Sequence, residues 1–299
     1  MIILAGATGD LGGRIATELL NRKSKVTAIA RVGISSEKKM KLESQGCRVL
    51  EVDFNDPKAL SEACIGGSVV ISALSGLRDT IVNAQTQLLQ AAVSANVPRF
   101  IPSDFALDFT KLPADWNRNL SFRNEFRERV DKANIKVTSI LNGGFMDMLT
   151  GKAPFILFKM NRVLCWGNPD QLTDWTTIED TARFTAFAAL DSETPRYLRI
   201  AGDQFSAKML AKVMTELTSK EFKVFRPGSL GLFKFIISVV KRFNNDTEDL
   251  YPAWQGMQYM HNMYSGVGKL SQLDNDRYKM KWTSAKELLH QFLKETATH

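Results

Sequence analysis

Gly6-Ala-Thr-Gly9-Asp-Leu-Gly12-Gly13 decides how this 299-residue chain is read. It follows a short apolar run, Ile2–Ala5. It opens a stretch in which Ile15, Leu19 and Leu20 recur at turn spacing. A glycine triplet alone is a weak signal. Between a strand and a helix, at the start of an alternating pattern, it is the fingerprint of a dinucleotide cradle. Gly6 lets the chain turn sharply, and Gly9 lets backbone approach a pyrophosphate with no Cβ in the way. Gly12 lets the helix pack close to the sheet. The helix N-terminus then offers unpaired N–H groups and a positive dipole end to the phosphates. The alternative is a glycine turn that holds no ligand.

The pattern continues outward from this loop. Further apolar runs occur at Val26–Ala30, Val49–Val52, Val69–Ala73, Phe100–Ile101 (behind Pro98) and Val137–Leu141. Helical stripes lie between them, marked by Ile81, Leu88 and Ala92 and by Phe122, Phe126 and Val130. Strand and helix in alternation predict an α/β fold of the Rossmann type, a doubly wound parallel sheet with helices on both faces. The runs are continuously apolar rather than alternating, as strands covered on both faces must be. No L-x-x-L-x-L string recurs, which removes a leucine-rich solenoid. After Thr150 the pattern loosens at Pro154, at Gly167-Asn168-Pro169 and at Pro195. Thr177, with Asp180 three residues on, predicts a helix start, and Ser206 predicts the cap of a helix over 207–218. The expected division is a dinucleotide-binding domain over 1–150 and a smaller C-terminal substrate lobe over 151–299, with segments returning to the main sheet.

The second strand ends at Arg31, with Lys38 and Lys39 close behind. NAD binders place an acid near this point for the ribose hydroxyls; a cation suits a 2′-phosphate instead. NADP(H) is therefore expected in preference to NAD(H), the alternative for Arg31 being a solvated surface side chain. Asp53-Phe54, past the third strand, either frames the adenine or starts a helix.

Composition narrows the classes of function. Apolar residues make up 44% and charged residues 24%, which suits a folded globule rather than a disordered chain. The net charge of +7 is spread over both halves with no basic arm, so nucleic-acid binding is not expected. Cys47, Cys64 and Cys165 have no metal-ligand spacing and form no cluster with His261, His290 or His299. No metal site is expected, and a reducing compartment, the cytoplasm, is. The longest apolar run, Leu230 to Val240, carries Lys234 and is too short to span a bilayer.

GATGDLGG at the start, VVISALSG at 69–76, RFIPSDFALDF at 99–109 and ILNGGFMD at 140–147 together resemble the atypical short-chain dehydrogenases. More closely they resemble the NmrA-like and isoflavone reductase-like family, which includes phenylcoumaran benzylic ether reductases. The likeness covers 1–150 and is diffuse beyond, where TTIEDTARFTAFAAL at 176–190 is similar to a later helix of that family. The resemblance implies an NADP-binding domain and a lobe enclosing a small-molecule substrate. It implies that Gly6, Thr8, Gly9, Asp10, Leu11 and Gly12 line the pyrophosphate. Arg31 with Lys38 or Lys39 would hold the 2′-phosphate, and Ala73, Leu74 and Ser75 would pass under the nicotinamide. Ser103, Asp104 and Phe105 leave the fifth strand, and Asn142, Gly143, Gly144 and Phe145 leave the sixth, both at carboxyl ends where such sheets bind ligands. Phe145, Met146 and Met148 would add an apolar substrate lining.

The chain departs from the superclass in its chemistry. None of its tyrosines (Tyr197, Tyr251, Tyr259, Tyr264, Tyr278) has Lys four residues on, so the Y-x-x-x-K pair is absent. The reductase branch uses a Lys instead, and alignment places Arg123 there. A guanidinium cannot act as a general base, but it can fix a ribose, a substrate anion or a developing oxyanion. The other candidates for proton work are Asp104 and His261, the latter in the Met- and Tyr-rich run 258–264. Each has a structural alternative, as has Trp175, which either faces the ligand or fills the core. The stretch 222–245 holds no acid but holds Lys223, Arg226, Lys234, Lys241 and Arg242. On a helix Phe233, Ile236, Ile237, Val240 and Phe243 would share an apolar face covering the pocket, with the cations in water; a membrane or partner surface is the alternative.

Two functions are consistent with these residues. One is an NADPH-dependent reductase of a small apolar carbonyl, quinone or aromatic compound, where a quinone would need no protein acid. The other is a non-catalytic dinucleotide sensor acting through a protein partner.

Overall fold

A computed structural model of the chain describes residues 1–244 and 248–297; Asn245, which ends the basic stretch, and His299 lie outside them. The chain forms two compact units, each assembled from three segments. Unit 1 is Met1–Phe105, Phe122–Leu141 and Ile178–Leu198; unit 2 is Ala106–Ser121, Asn142–Thr177 and Arg199–His299. The second unit is comparable in size to the first. The chain leaves unit 1 after Phe105, Leu141 and Leu198 and returns to it at Phe122 and Ile178. Hydrophobic periodicity records helices and strands but not these exchanges.

Unit 1 carries the glycine loop. Its strands β1 (Ile2–Ala5), β2 (Val26–Arg31), β3 (Arg48–Val52), β4 (Val69–Ser72), β5 (Arg99–Ile101) and β6 (Lys136–Val137) form one sheet in the order β3-β2-β1-β4-β5-β6. Every pairing is parallel, with Ile2 opposite both Val26 and Val69. The order reverses beside β1, the position where sheets of this kind bind ligands. The helices are α1 (Asp10–Asn21), α2 (Ser36–Ser44), α3 (Pro57–Cys64), α4 (Gln85–Ser94) and α5 (Arg118–Val130). Asp56 caps α3, accepting from the amides of Lys58 and Ala59 with Pro57 at the first helical position. A π-helical turn, Asp79–Ala84, precedes α4. The core includes Ile3, Leu60, Val70, Leu88, Phe100 and Phe126, side chains from strands and helices alike.

The expected run Val137–Leu141 is broken. The Thr138 amide still donates to the Phe100 carbonyl, but Ser139 donates to Arg196, and β7 (Ser139–Leu141) pairs with Tyr197–Arg199 instead of the main sheet. Helix α6 (Ile178–Leu190) begins directly after Thr177 and packs on α1. Its C-terminus is held by a buried charge: Arg99 on β5 donates to the carbonyls of Ala188 (2.8 Å) and Ala189 (3.0 Å) and to Thr194 Oγ1 (2.9 Å). A cation among the last carbonyls of a helix is the electrostatically favoured arrangement.

Unit 2 contains two three-stranded sheets. One has β11 (Thr173–Thr176) in the middle, parallel to β8 (Gly144–Phe145) and antiparallel to β13 (Asp203–Phe205). The other has β10 (Arg162–Leu164) between β9 (Ile156–Leu157) and β14 (Lys223–Phe225), with Tyr197–Arg199 counted as β12. Its helices are α7 (Ala207–Thr218), α8 (Leu230–Phe243), α9 (Ala253–Ser265) and α10 (Ala285–Ala297). The Ser206 hydroxyl accepts from the Met209 amide and caps α7 as its sequence predicts.

Candidate functional site

The three glycines of the loop have separate causes. Gly6 lies at φ +88°, and a Cβ there would stand 2.5 Å from the Ala73 carbonyl oxygen at the end of β4. A Cβ on Gly12 would collide with the Gly6 carbonyl. Both positions are glycine because the fold itself leaves no room. Gly9 differs: its φ of −87° suits any residue, and its Cβ would meet only the Gly6 oxygen at an ordinary 3.5 Å. The packing of the protein itself does not require glycine there. Gly9 is also the N-cap of α1 and brings no capping side chain, so the first-turn amides of Asp10, Leu11 and Gly12 stay available to an acceptor. The Asp10 carboxylate is turned along the helix to Arg14 Nε (2.7 Å), and Arg14 also binds Glu179. Thr8 is exposed at the crest of the loop, and Leu11 is half-buried beside it.

Arg31 ends β2 in the exposed position its sequence predicts. Its Nη2 reaches Thr80 Oγ1 (3.4 Å) in the π-helical turn after β4, so the guanidinium lies across the carboxyl ends of the strands. It has no carboxylate partner among the described residues. Lys39 is engaged with Glu51 (2.9 Å), which also accepts the Gly33 amide. Lys38 is exposed and has no carboxylate partner among the described residues. Asp53 closes a turn by accepting from the Asn55 amide, and Phe54 packs on the core. The helix-starting acid is Asp56, not Asp53. Ala73 and Leu74 are half-buried and Ser75 exposed where the chain leaves β4.

The exit of β5 is a knot of charge. The Ser103 amide donates to Gln85 Oε1 (2.9 Å), its hydroxyl to the Leu74 carbonyl (2.7 Å), and its carbonyl accepts from Arg123 Nε (3.1 Å). Ser103 therefore ties the β4 and β5 exits together and anchors the Arg123 guanidinium. Asp104 is buried beside it. Its Oδ2 accepts from Ser139 Oγ (2.6 Å), while its Oδ1 has no hydrogen-bond partner. Arg196 donates to the same Ser139 hydroxyl (2.6 Å) and pairs with Asp131 (2.9 Å). Burial pushes the Asp104 carboxyl above its ordinary range, against the pull of Ser139, Arg123, Arg196 and Arg127. Phe105 is buried. Thr80, Gln85, Ser139, Arg196 and Arg127 were not singled out in the sequence. Only Arg127 had a legible signal, four residues after Arg123 and so on the same helix face.

Unit 2 brings together the residues that follow the sixth-strand region. The amides of Asn142 and Gly143 both donate to the Ala106 carbonyl (3.0 and 3.2 Å), and Gly143, at φ +69°, has a Cβ position blocked by the Asp174 backbone. Phe145 is half-buried and Met146 fully buried. Trp175 is buried and packs in the core. Phe205 stacks on it at 5.6 Å, Phe155 meets it edge-on at 4.9 Å, and its indole N–H donates to Thr173 Oγ1 (2.7 Å). Its neighbour Asp174 is held by the Leu270 amide (2.7 Å) and Gln204 (2.5 Å), with burial raising its carboxyl.

His261 on α9 lies edge-on to Trp116 (5.5 Å) and tilted to Phe233 (6.3 Å), which stacks flat on Trp166 at 4.3 Å. The Lys234 ammonium sits over the Trp116 ring at 4.9 Å. Burial, and secondarily this ammonium, lower the imidazole below its ordinary range, so it is neutral at neutral pH. Buried carboxamides fix α9 beneath it: Gln255 donates to Asn117 Oδ1 (2.7 Å), and Asn117 donates to Asn262 Oδ1 (3.0 Å). No helix among the described residues is long and apolar enough to cross a membrane, and no His, Cys, Asp and Glu cluster there could hold a metal ion.

With this geometry in view, the comparisons with known proteins are direct. Residues 1–287 match the model of the NmrA-like family. Pinoresinol reductase 2 of Arabidopsis thaliana is 27% identical over 239 residues, covering 74% of this chain and 75% of that protein. Among solved structures, AtPrR2 with NADP+ and (+)pinoresinol superposes with a TM-score of 0.81 at 24% identity, covering 97% of this chain and 98% of that one. An isoflavone reductase crystal structure gives 0.80 at 20% identity, covering 97% and 98%. The structural likenesses establish a shared fold.

Proposed function

The chain belongs to the NmrA-like family, and on that premise we propose that it is an NADPH-dependent reductase of a small apolar carbonyl, quinone or aromatic compound. The observation that carries this is the loop at Gly9, where an uncapped helix N-terminus meets a clearance the protein does not use itself. A pyrophosphate fits both features. Arg31, braced by Thr80 and lacking a carboxylate partner, would take the 2′-phosphate together with Lys38. When bound, NADPH supplies the hydride at its nicotinamide C4.

The residues of the chain bind and orient. The first-turn amides of α1 would hold the phosphates, and Ala73, Leu74 and Ser75 would contact the nicotinamide side. Arg123, fixed on the Ser103 carbonyl, presents a permanent positive charge to a ribose hydroxyl or a developing oxyanion. Its charge cannot remove a proton, which favours acceptors whose product takes its proton from solvent, as a quinone's does. His261, neutral in its aromatic surroundings, is a hydrogen-bonding group for the substrate lobe. The relatives named for pinoresinol reduction support an aromatic substrate. The three buried free thiols suit the cytoplasm.

Steady oxidation of NADPH with a panel of quinones and enones is the expected result. Arg123→Ala should lower turnover by about 100-fold, the usual cost of losing one oxyanion donor. Tight, equal binding of NADP+ and NADPH without turnover on any acceptor would assign the chain instead to a sensor working through a protein partner. That outcome gains weight from the missing Y-x-x-x-K pair.

A further inference from the structure

Helix α8 buries only a narrow strip. Phe233 and Ile237 are its buried side chains. Phe243 (84% exposed), Phe235 (63%), Leu232 (45%) and Val239 (37%) stand in solvent. Of the apolar face expected from the sequence, Phe233 and Ile237 are buried, Ile236 and Val240 are half-buried, and Phe243 is exposed. Leu232, Phe235, Val239 and Phe243 follow at i, i+3, i+7 and i+11, so they form one continuous stripe about 16 Å long. The exposed arc of α8 is split lengthwise. One half is this apolar stripe; the other carries Lys234, Ser238, Lys241 and Arg242, with Arg242 next to the stripe. Phe225 and Arg226 on the preceding segment extend the same composition, with Phe225 also exposed.

The charge on this stretch is of one sign. No acid occurs from Phe222 to Asn244. Lys223 pairs with Glu221, at the edge of the stretch. Arg226, Lys234, Lys241 and Arg242 have no carboxylate partner among the described residues; Lys234 and Lys241 rest over the rings of Trp116 (4.9 Å) and Trp254 (5.1 Å). An exposed row of Phe, Leu and Val beside cations that have no carboxylate partner among the described residues is the composition of a helix that lies in the plane of a lipid surface. The apolar half enters the acyl boundary, and the cations meet anionic headgroups. A protein partner would need to offer an apolar groove rimmed with acids; an anionic bilayer offers both features without further design.

We propose that α8 docks this protein reversibly on anionic lipid surfaces. The test is flotation of the full chain with vesicles of phosphatidylcholine alone or mixed with phosphatidylglycerol. Expected is binding to the mixed vesicles that exceeds binding to phosphatidylcholine at least tenfold and weakens as salt is raised. Phe235→Ser with Phe243→Ser, and separately Arg226→Glu with Arg242→Glu, should each reduce that binding at least tenfold while circular dichroism and NADPH affinity stay unchanged. These side chains are exposed, so the variants should fold. Equal binding to both vesicle types, no binding to either, or variants that bind as the parent does would overturn the proposal. So would a concentration-dependent dimer by light scattering that the Phe235→Ser, Phe243→Ser variant dissolves, because the stripe would then be a contact between copies.

Discussion

The glycine loop of unit 1 and the aromatic region around His261 in unit 2 are built from opposite materials. The loop works with backbone: amides, a helix end and positions where a side chain is forbidden. The His261 region works with side chains: stacked rings, a cation over an indole, and carboxamides that hold one another. A backbone cradle is specified by absences and fails when a single methyl is added. A ring cluster is specified by volume and tolerates exchange of one aromatic for another, because stacking depends on shape more than on identity.

The most severe way to break this contrast is Gly12→Ala. The new methyl has to displace the Gly6 carbonyl, so helix α1 must separate from its loop. A loss of about 3 kcal/mol is expected, read as a large fall in melting temperature together with lost NADPH binding. Arg31→Glu should come next. It removes a charge-assisted contact and places a carboxylate near the 2′-phosphate, weakening NADPH by about 100-fold while NADH is little changed. Calorimetry with both nucleotides decides this, and equal losses would refute the phosphate assignment.

Gly9→Ala sharpens the comparison inside the loop. Its φ and its surroundings accept a Cβ, so melting should move little. NADPH affinity should nonetheless fall by about tenfold, roughly 1.4 kcal/mol, as the methyl enters the phosphate's place. A variant that keeps full affinity would show that the clearance serves no ligand. The smallest effect belongs to unit 2. Burial holds the folded protein's His261 imidazole below its ordinary value of 6.5, so on acidification the unfolded chain takes up the proton first. The associated stability is present above that value and is lost as pH falls through it. His261→Gln should flatten the melting-temperature profile on the acid side, and an unchanged profile would assign the slope to other groups.

Much of unit 1 was legible because its information is local. Ile2–Ala5 and Val69–Ile71 are unbroken apolar runs that form fully buried strands, and Gly6 and Gly12 stand where the turn forbids a Cβ. The Val137–Leu141 run misled because what ends β6 is remote: Ser139 turns away to pair with Arg196, more than fifty residues later. Trp175 was equally ambiguous from sequence. An indole is amphipathic, and only the positions of Phe155, Phe205 and Thr173 turned it into core.

The sequence by itself determined the parallel sheet, the glycine loop between β1 and α1, the cation at the end of β2 and the family. Each rests on residues within a few positions of one another, where local sterics and periodicity decide. The tertiary structure alone decided that the chain passes between two units several times, that Lys39 is tied to Glu51 while Lys38 is not, and that Asp104 is buried among arginines. It also decided that half of α8 faces water. Those facts depend on which distant segments meet, and burial and charge pairing become defined only once they have met.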